Sequence, residues 1–305
     1  MIEKNEIEKN INTDWKIPQK TLKEYRYGLC KFIIDKSYEL NLPKQTVASA
    51  LQIINYFFIK NCYFNYDKLT IACAALTLSI KLKTIKKEEL NKIIDIYISS
   101  HKEEIENKLK VSEKREIYKL KQKLLDAEIK IMELFDNFLP DKFPFEYIYL
   151  YSKILYPNND EEIYNFSCKI CIDSYFTYAN NIYSNFVVAL ACIFISAKFL
   201  DIKTFLEKNF KDLENMKYMH EKNINEEQFI KALYQFIDDP AQLLLNENGI
   251  DNVKDKEEYF SNLSLEKKIH PLLIMDELFE CIEMISDFYE DINNNYETMH
   301  PSKSS

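Results

Sequence analysis

The chain of 305 residues carries a net charge of −9, is 47% hydrophobic and 14% aromatic, and contains only two glycines, Gly28 and Gly249. That composition suits packed cores. It excludes the phosphate-cradling loops of nucleotide enzymes, which need several glycines close together, and it disfavours sheet architectures rich in positive-φ turns. The negative charge disfavours strong nucleic-acid binding, which rests on Lys and Arg neutralising phosphates.

Residues 1–20 contain Ile2-Glu-Lys-Asn5 and again Ile7-Glu-Lys-Asn10, read as a charged helix or arm. Helical stripes follow, bounded by Pro18, Pro43, Pro140, Pro144, Pro157, Pro240 and Pro271, because proline is tolerated best where a helix begins or breaks. Tyr25, Leu29, Phe32, Ile33 and Leu40 form the first stripe; Val47, Ala50, Leu51, Ile54, Phe57 and Phe58 form the second. Ile71 to Leu82 is apolar on nearly every face, the pattern of a helix ringed by its neighbours. Leu90, Ile93, Ile94, Tyr97 and Ile98 make a shorter stripe. The Lys- and Glu-rich run Ser99 to Lys123 reads as a solvated loop entering a long amphipathic helix, Leu120 to Phe138.

The all-apolar segment recurs. A shift of 117 positions lays Ala72, Ala74, Ser79, Lys81 and Ile85 on Ala189, Ala191, Ser196, Lys198 and Ile202. Cys30-Lys-Phe-Ile-Ile-Asp35 is echoed by Cys168-Lys-Ile-Cys-Ile-Asp173, in the same order. A duplicated helical bundle accounts for both echoes, against the blander account of two Ala-rich helices alike by chance. After Pro240 a polar stretch leads to an amphipathic helix within Leu265–Ile292, built on Leu272, Met275, Leu278, Phe279, Ile282 and Ile285, with Asn293–Ser305 read as disordered.

Few residues invite chemistry. The four histidines have no metal-ligand or triad spacing, so no metal, cofactor, small-molecule ligand or enzymatic activity is expected. Seven scattered cysteines read as reduced thiols of the cytosol or nucleus, and Cys168-x-x-Cys171 as core packing, because it repeats the Cys30 position and lacks a second pair. The longest apolar run, Phe186 to Ala197, is too short to span a bilayer. Lys81 and Lys198 each close an apolar helix, where a lysine complements the helix dipole and reaches for water.

The segment Tyr25 to Phe58 resembles the opening of a cyclin box, with Arg26 on its first helix and an aromatic pair ending the second. Ala74-Ala-Leu-Thr-Leu-Ser-Ile-Lys81 is similar to the central helix of that box. Lys86 to Ile94 resembles the following helix in cyclins T, K and L; Leu125 to Phe135 resembles the fifth, and Phe143-Pro-Phe-Glu-Tyr-Ile-Tyr149 the entry to a second box. The resemblance implies an all-α protein of two tandem five-helix cyclin-box bundles. It implies an N-terminal arm over 1–20, a first box over 21–142, a second over 143–240, and a tail over 241–305 with one amphipathic helix. It also implies a regulatory subunit that binds and allosterically activates a cyclin-dependent kinase of the transcription-associated type, resident in the nucleus, with the cytoplasm also open. Lys81 and Glu128 are then kinase-binding residues, with Leu82, Met132 and Phe135 beside them, while Arg26, Ala74 and Ser79 are structural. Departures from the pattern are Lys83-Thr84 after the lysine, Tyr56 beside the aromatic pair, and Tyr27-Gly-Leu after Arg26, where cell-cycle cyclins carry a docking motif. Rival readings are a scaffold of the transcription factor IIB kind, which needs a zinc ribbon and a basic face, and a helical adaptor without a kinase.

Overall fold

A computed structural model describes residues 17–83, 87–101, 113–136, 139–156, 158–202 and 271–299. The expectations for residues 1–16, 84–86, 102–112, 137–138, 203–270 and 300–305 lie outside them. The described residues are all-α, without a strand. Among the described residues ten α-helices run in order: α1 Gln19–Glu39, α2 Lys44–Lys60, α3 Lys68–Lys83, α4 Lys87–Ser100, α5 Glu113–Leu134, α6 Phe145–Leu155, α7 Asp160–Asp173, α8 Ala179–Ile182, α9 Asn185–Phe199 and α10 Pro271–Met299.

Proline starts three of them. Pro18, Pro43 and Pro144 precede α1, α2 and α6, and their carbonyls accept from Leu22, Val47 and Ile148 N–H in the first turn. A proline has no N–H of its own to leave unpaired there. Helix ends show how the chain manages with so little glycine. After α1, Asn41 sits at φ 51° and Leu42 N–H donates back to Ser37 O at 2.9 Å. After α9, Asp201 sits at φ 53° and Ile202 N–H donates to Ala197 O at 2.9 Å. Both are helix terminations that glycine usually supplies, here taken by the two residue types that tolerate the left-handed region best.

The chain divides into two compact units, one of Met1–Phe143 with Ile172–Ser184, the other of Pro144–Cys171 with Asn185–Ser305. In the first unit α3 is the central helix, buried from Ile71 through Ile80 and packed by α1, α2, α4 and α5. Asp67 caps its start, accepting from Thr70 N–H at 3.2 Å, and Thr70 Oγ1 lies 2.8 Å from Tyr97 Oη, which ties α3 to α4. The stretch Ile172–Ser184 docks on α1 and α2: Asn55 Nδ2 donates to Tyr175 O at 2.7 Å, and Arg26 Nε donates to Phe176 O, also at 2.7 Å. In the second unit α9 is buried from Val187 to Ile193 and packs on α6 and α10. Ser167 of α7 donates to Ser196 of α9 at 2.9 Å, a buried tie between these helices. The two all-apolar segments related by the 117-residue shift are thus the buried centres of separate units.

Three expectations are corrected. Ser99 to Lys123 is not all loop: α4 runs to Ser100, and α5 begins at Glu113, because Glu116, Leu120, Leu124, Ala127 and Ile131 form one buried stripe. The long helix ends at Leu134 rather than Phe138, with Asp136 at φ 49° beyond it. The C-terminal helix continues through Met299, past Asn293.

Candidate functional site

The end of α3 meets the middle of α5 through one ion pair. Lys81 Nζ lies 2.5 Å from Glu128 Oε2. Helical spacing explains the arrangement. Lys81 lies in the last turn of α3, just past its buried stretch, so its stem leaves the core and its ammonium reaches the rim. Glu128 sits beside the buried stripe of α5, next to Ala127, and is itself 7% exposed. The ammonium offers three N–H donors and the carboxylate two oxygens, so one salt bridge leaves each side with capacity for a further partner.

Apolar side chains border the pair. Leu82 is 45% exposed, and on α5 Leu125 and Ile129 are 45% and 48% exposed. Met132, one turn beyond Glu128, is half-buried, and so is Phe135, whose ring lies 4.7 Å from that of Tyr56 on α2. Of the residues singled out in the sequence, the structure joins Lys81 and Glu128 directly and sets Leu82 and Met132 along the same two helices. Phe135 is drawn back against Tyr56. Leu125 and Ile129 escaped the sequence reading, though two apolar residues four apart on the polar side of an amphipathic helix are a legible signal.

Arg26 stands elsewhere, nearly buried, its Nε on Phe176 O and its guanidinium 4.0 Å from the centre of the Tyr178 ring. Ala74 and Ser79 are fully buried in α3, with Ser79 Oγ donating to Ala75 O at 2.8 Å. Lys198, which occupies the place of Lys81 in the repeat, is exposed and lies 5.9 Å from the Phe194 ring centre. Cys171, Cys192 and Cys281 are fully buried on α7, α9 and α10, with Cys168 half-buried. Burial, then a hydrogen bond with Cys171, pushes the Cys192 thiol well above its ordinary range. No group among the described residues is arranged to hold a metal ion, and no described helix is long and apolar enough to cross a membrane.

A buried central helix ringed by four others is the arrangement of a cyclin-like fold. The chain resembles the cyclins in sequence as well. Over 103 residues, 34% of this chain and 19% of the relative, it is 26% identical to Cyclin-T1-4 of Arabidopsis thaliana. Among solved structures it is similar to a chain of the yeast RNA polymerase II CTD kinase complex CTDK-1, with a TM-score of 0.55 and 21% identity, covering 69% of this chain and 66% of that one. A looser likeness, TM-score 0.48 at 11% identity, is to a chain of the CAK complex from Chaetomium thermophilum, covering 99% of this chain and 86% of that one. No protein-family profile matches.

Proposed function

We propose that the chain is a cyclin-like regulatory subunit that binds a cyclin-dependent kinase and raises its activity, without transferring phosphate itself. The observation that carries this reading is the Lys81–Glu128 pair, held at a surface with exposed Leu82, Leu125 and Ile129 around it. A charged pair set in an apolar border suits a protein partner: the apolar rim excludes water, and the spare donors and acceptor capacity fix the register. Likeness to a T-type cyclin, and to a chain of a complex named for its RNA polymerase II kinase, supports a partner of the transcription-associated type and a nuclear role.

The mechanism is one of state selection. A subunit that binds the active arrangement of a kinase more tightly than the inactive one shifts the kinase toward it, by as much as the two affinities differ. In kinases that arrangement requires a regulatory-helix glutamate paired with the catalytic lysine. The first box, over 21–142, carries the contact in this reading, and the second, over 143–240, supports it.

Mixing the full chain with each cyclin-dependent kinase of its own cells, and following phosphorylation of a Ser-Pro peptide, tests the reading. One kinase should gain at least about a hundredfold in rate, in line with a coupling of ~3 kcal/mol. If every kinase stays at its basal rate and none binds, the reading fails.

A further inference from the structure

The N-terminal half of α5 presents a face that meets the candidate kinase surface only at its far end, Leu125. Lys114, Tyr118, Lys121 and Leu125 recur at i, i+4, i+7 and i+11, so they share one face of the helix. That face lies opposite the buried stripe of Glu116, Leu120, Leu124 and Ala127. All four residues are exposed, Tyr118 at 63%. Lys119 is engaged with Glu116 at 2.6 Å and belongs to another side of the helix. Along the face no carboxylate occurs between Lys114 and Leu125, and the next one, Glu128, is already paired with Lys81. In the first unit basic residues outnumber acidic ones, although the whole chain is at −9.

The face alternates cation, aromatic, cation and aliphatic over about 16 Å at 1.5 Å per residue. Tyr118 and Leu125, seven residues apart, leave apolar area in water between and beside the lysines. We propose that this half of α5 is a docking surface for an acidic amphipathic helix of a partner protein. Carboxylates seven residues apart on that helix meet Lys114 and Lys121, and its apolar residues cover Tyr118 and Leu125. Charge complementarity selects the partner: the lysines attract carboxylates and repel basic segments, while the apolar pair discriminates an amphipathic helix from a merely acidic chain.

The test needs no kinase, so its outcome is independent of the function proposed above. Fluorescence anisotropy of the full chain is measured with three labelled twenty-residue probes: an amphipathic helix with Glu at seven-residue spacing and Leu and Phe between, a scramble of it, and polyglutamate. The amphipathic probe should bind at least about tenfold more tightly than either control, and more weakly as salt rises. Lys114→Glu with Lys121→Glu should lower its affinity about thirtyfold or more, and Tyr118→Ala about fivefold to tenfold. All three positions are exposed, so circular dichroism should show the fold retained; Tyr118→Gln is the second variant should alanine disturb the helix. Equal binding of the scramble or of polyglutamate overturns the proposal, as does binding indifferent to these substitutions, or no binding. Dimerisation of the chain that the double reversal abolishes would assign the face to a second copy and overturn it as well.

Discussion

Lys81 and Glu128 form one ion pair but meet solvent unequally: the lysine side chain is 42% exposed and the glutamate 9%. The carboxylate is therefore the member that depends on its partner. Lys81→Met strands a buried charge and should lower stability by about 1–3 kcal/mol, whereas Glu128→Gln keeps an acceptor for the ammonium and should cost less than about 1 kcal/mol. Urea unfolding of the two variants checks the order, and a larger loss in Glu128→Gln would show that the lysine is the dependent member.

Arg26 is held by a charge-assisted hydrogen bond to Phe176 O and by the face of Tyr178. Arg26→Ala should destabilise the protein by about 2–3 kcal/mol. Arg26→Lys should recover only part of that, because an ammonium lacks the planar surface that lies over the ring. Proteolysis between Ile172 and Ser184 should quicken in both variants, since this is the stretch the arginine fastens.

Gly28 lies in the interior of α1, exposed, and a Cβ built there meets nothing within 4 Å. A helical glycine in open space carries an entropic cost and gives no close approach in return. Gly28→Ala should therefore stabilise by about 0.5–1 kcal/mol, read as a raised melting temperature.

The buried thiols make stability fall in alkali. Burial pushes Cys30 up to about 12, against a smaller opposing effect of Arg26, and burial pushes Cys73 to about 12 as well. Each keeps its proton in the folded chain while the unfolded chain loses it from about pH 9 upward. The stabilisation is full below that pH and is lost as pH rises toward 12, by as much as about 1.4 kcal/mol per unit for each thiol. Denaturant midpoints across that range check the sign, and Cys30→Ser with Cys73→Ser should flatten the slope. In the native chain at pH 8, half-buried Cys62 and Cys168 should alkylate first.

Much of this arrangement is legible in the sequence, and the gaps have physical causes. Ile71 to Leu82 declares a central helix because no face of it is polar, and the 117-residue echo finds its counterpart. The first turns of α5 were hidden because the buried stripe there includes Glu116, whose charge reads as solvated until Lys119 is found beside it. The docking of Ile172–Ser184 on α1 and α2 was hidden because it rests on backbone acceptors. Tyr175 O receives both Asn55 Nδ2 and Cys30 Sγ, and a carbonyl leaves no mark in a sequence. Lys81 and Glu128 were each marked by resemblance, yet 47 positions of sequence separate them, and only the packing of α3 on α5 shows them to be one pair.

The kinase-binding account stands most directly on one comparison. Lys81→Ala, Glu128→Ala and Lys198→Ala are each measured for affinity to the activated kinase, with helix content and melting temperature beside them. Losing a hydrogen-bonded interfacial charge costs about 2–5 kcal/mol, on the order of thirtyfold to several-thousandfold in affinity. The first two variants should show that loss while Lys198→Ala, at the equivalent place in the second unit, binds like the unmodified chain. If Lys81→Ala binds and activates the kinase as well as Lys198→Ala does, the surface around Lys81 and Glu128 is not where the kinase sits.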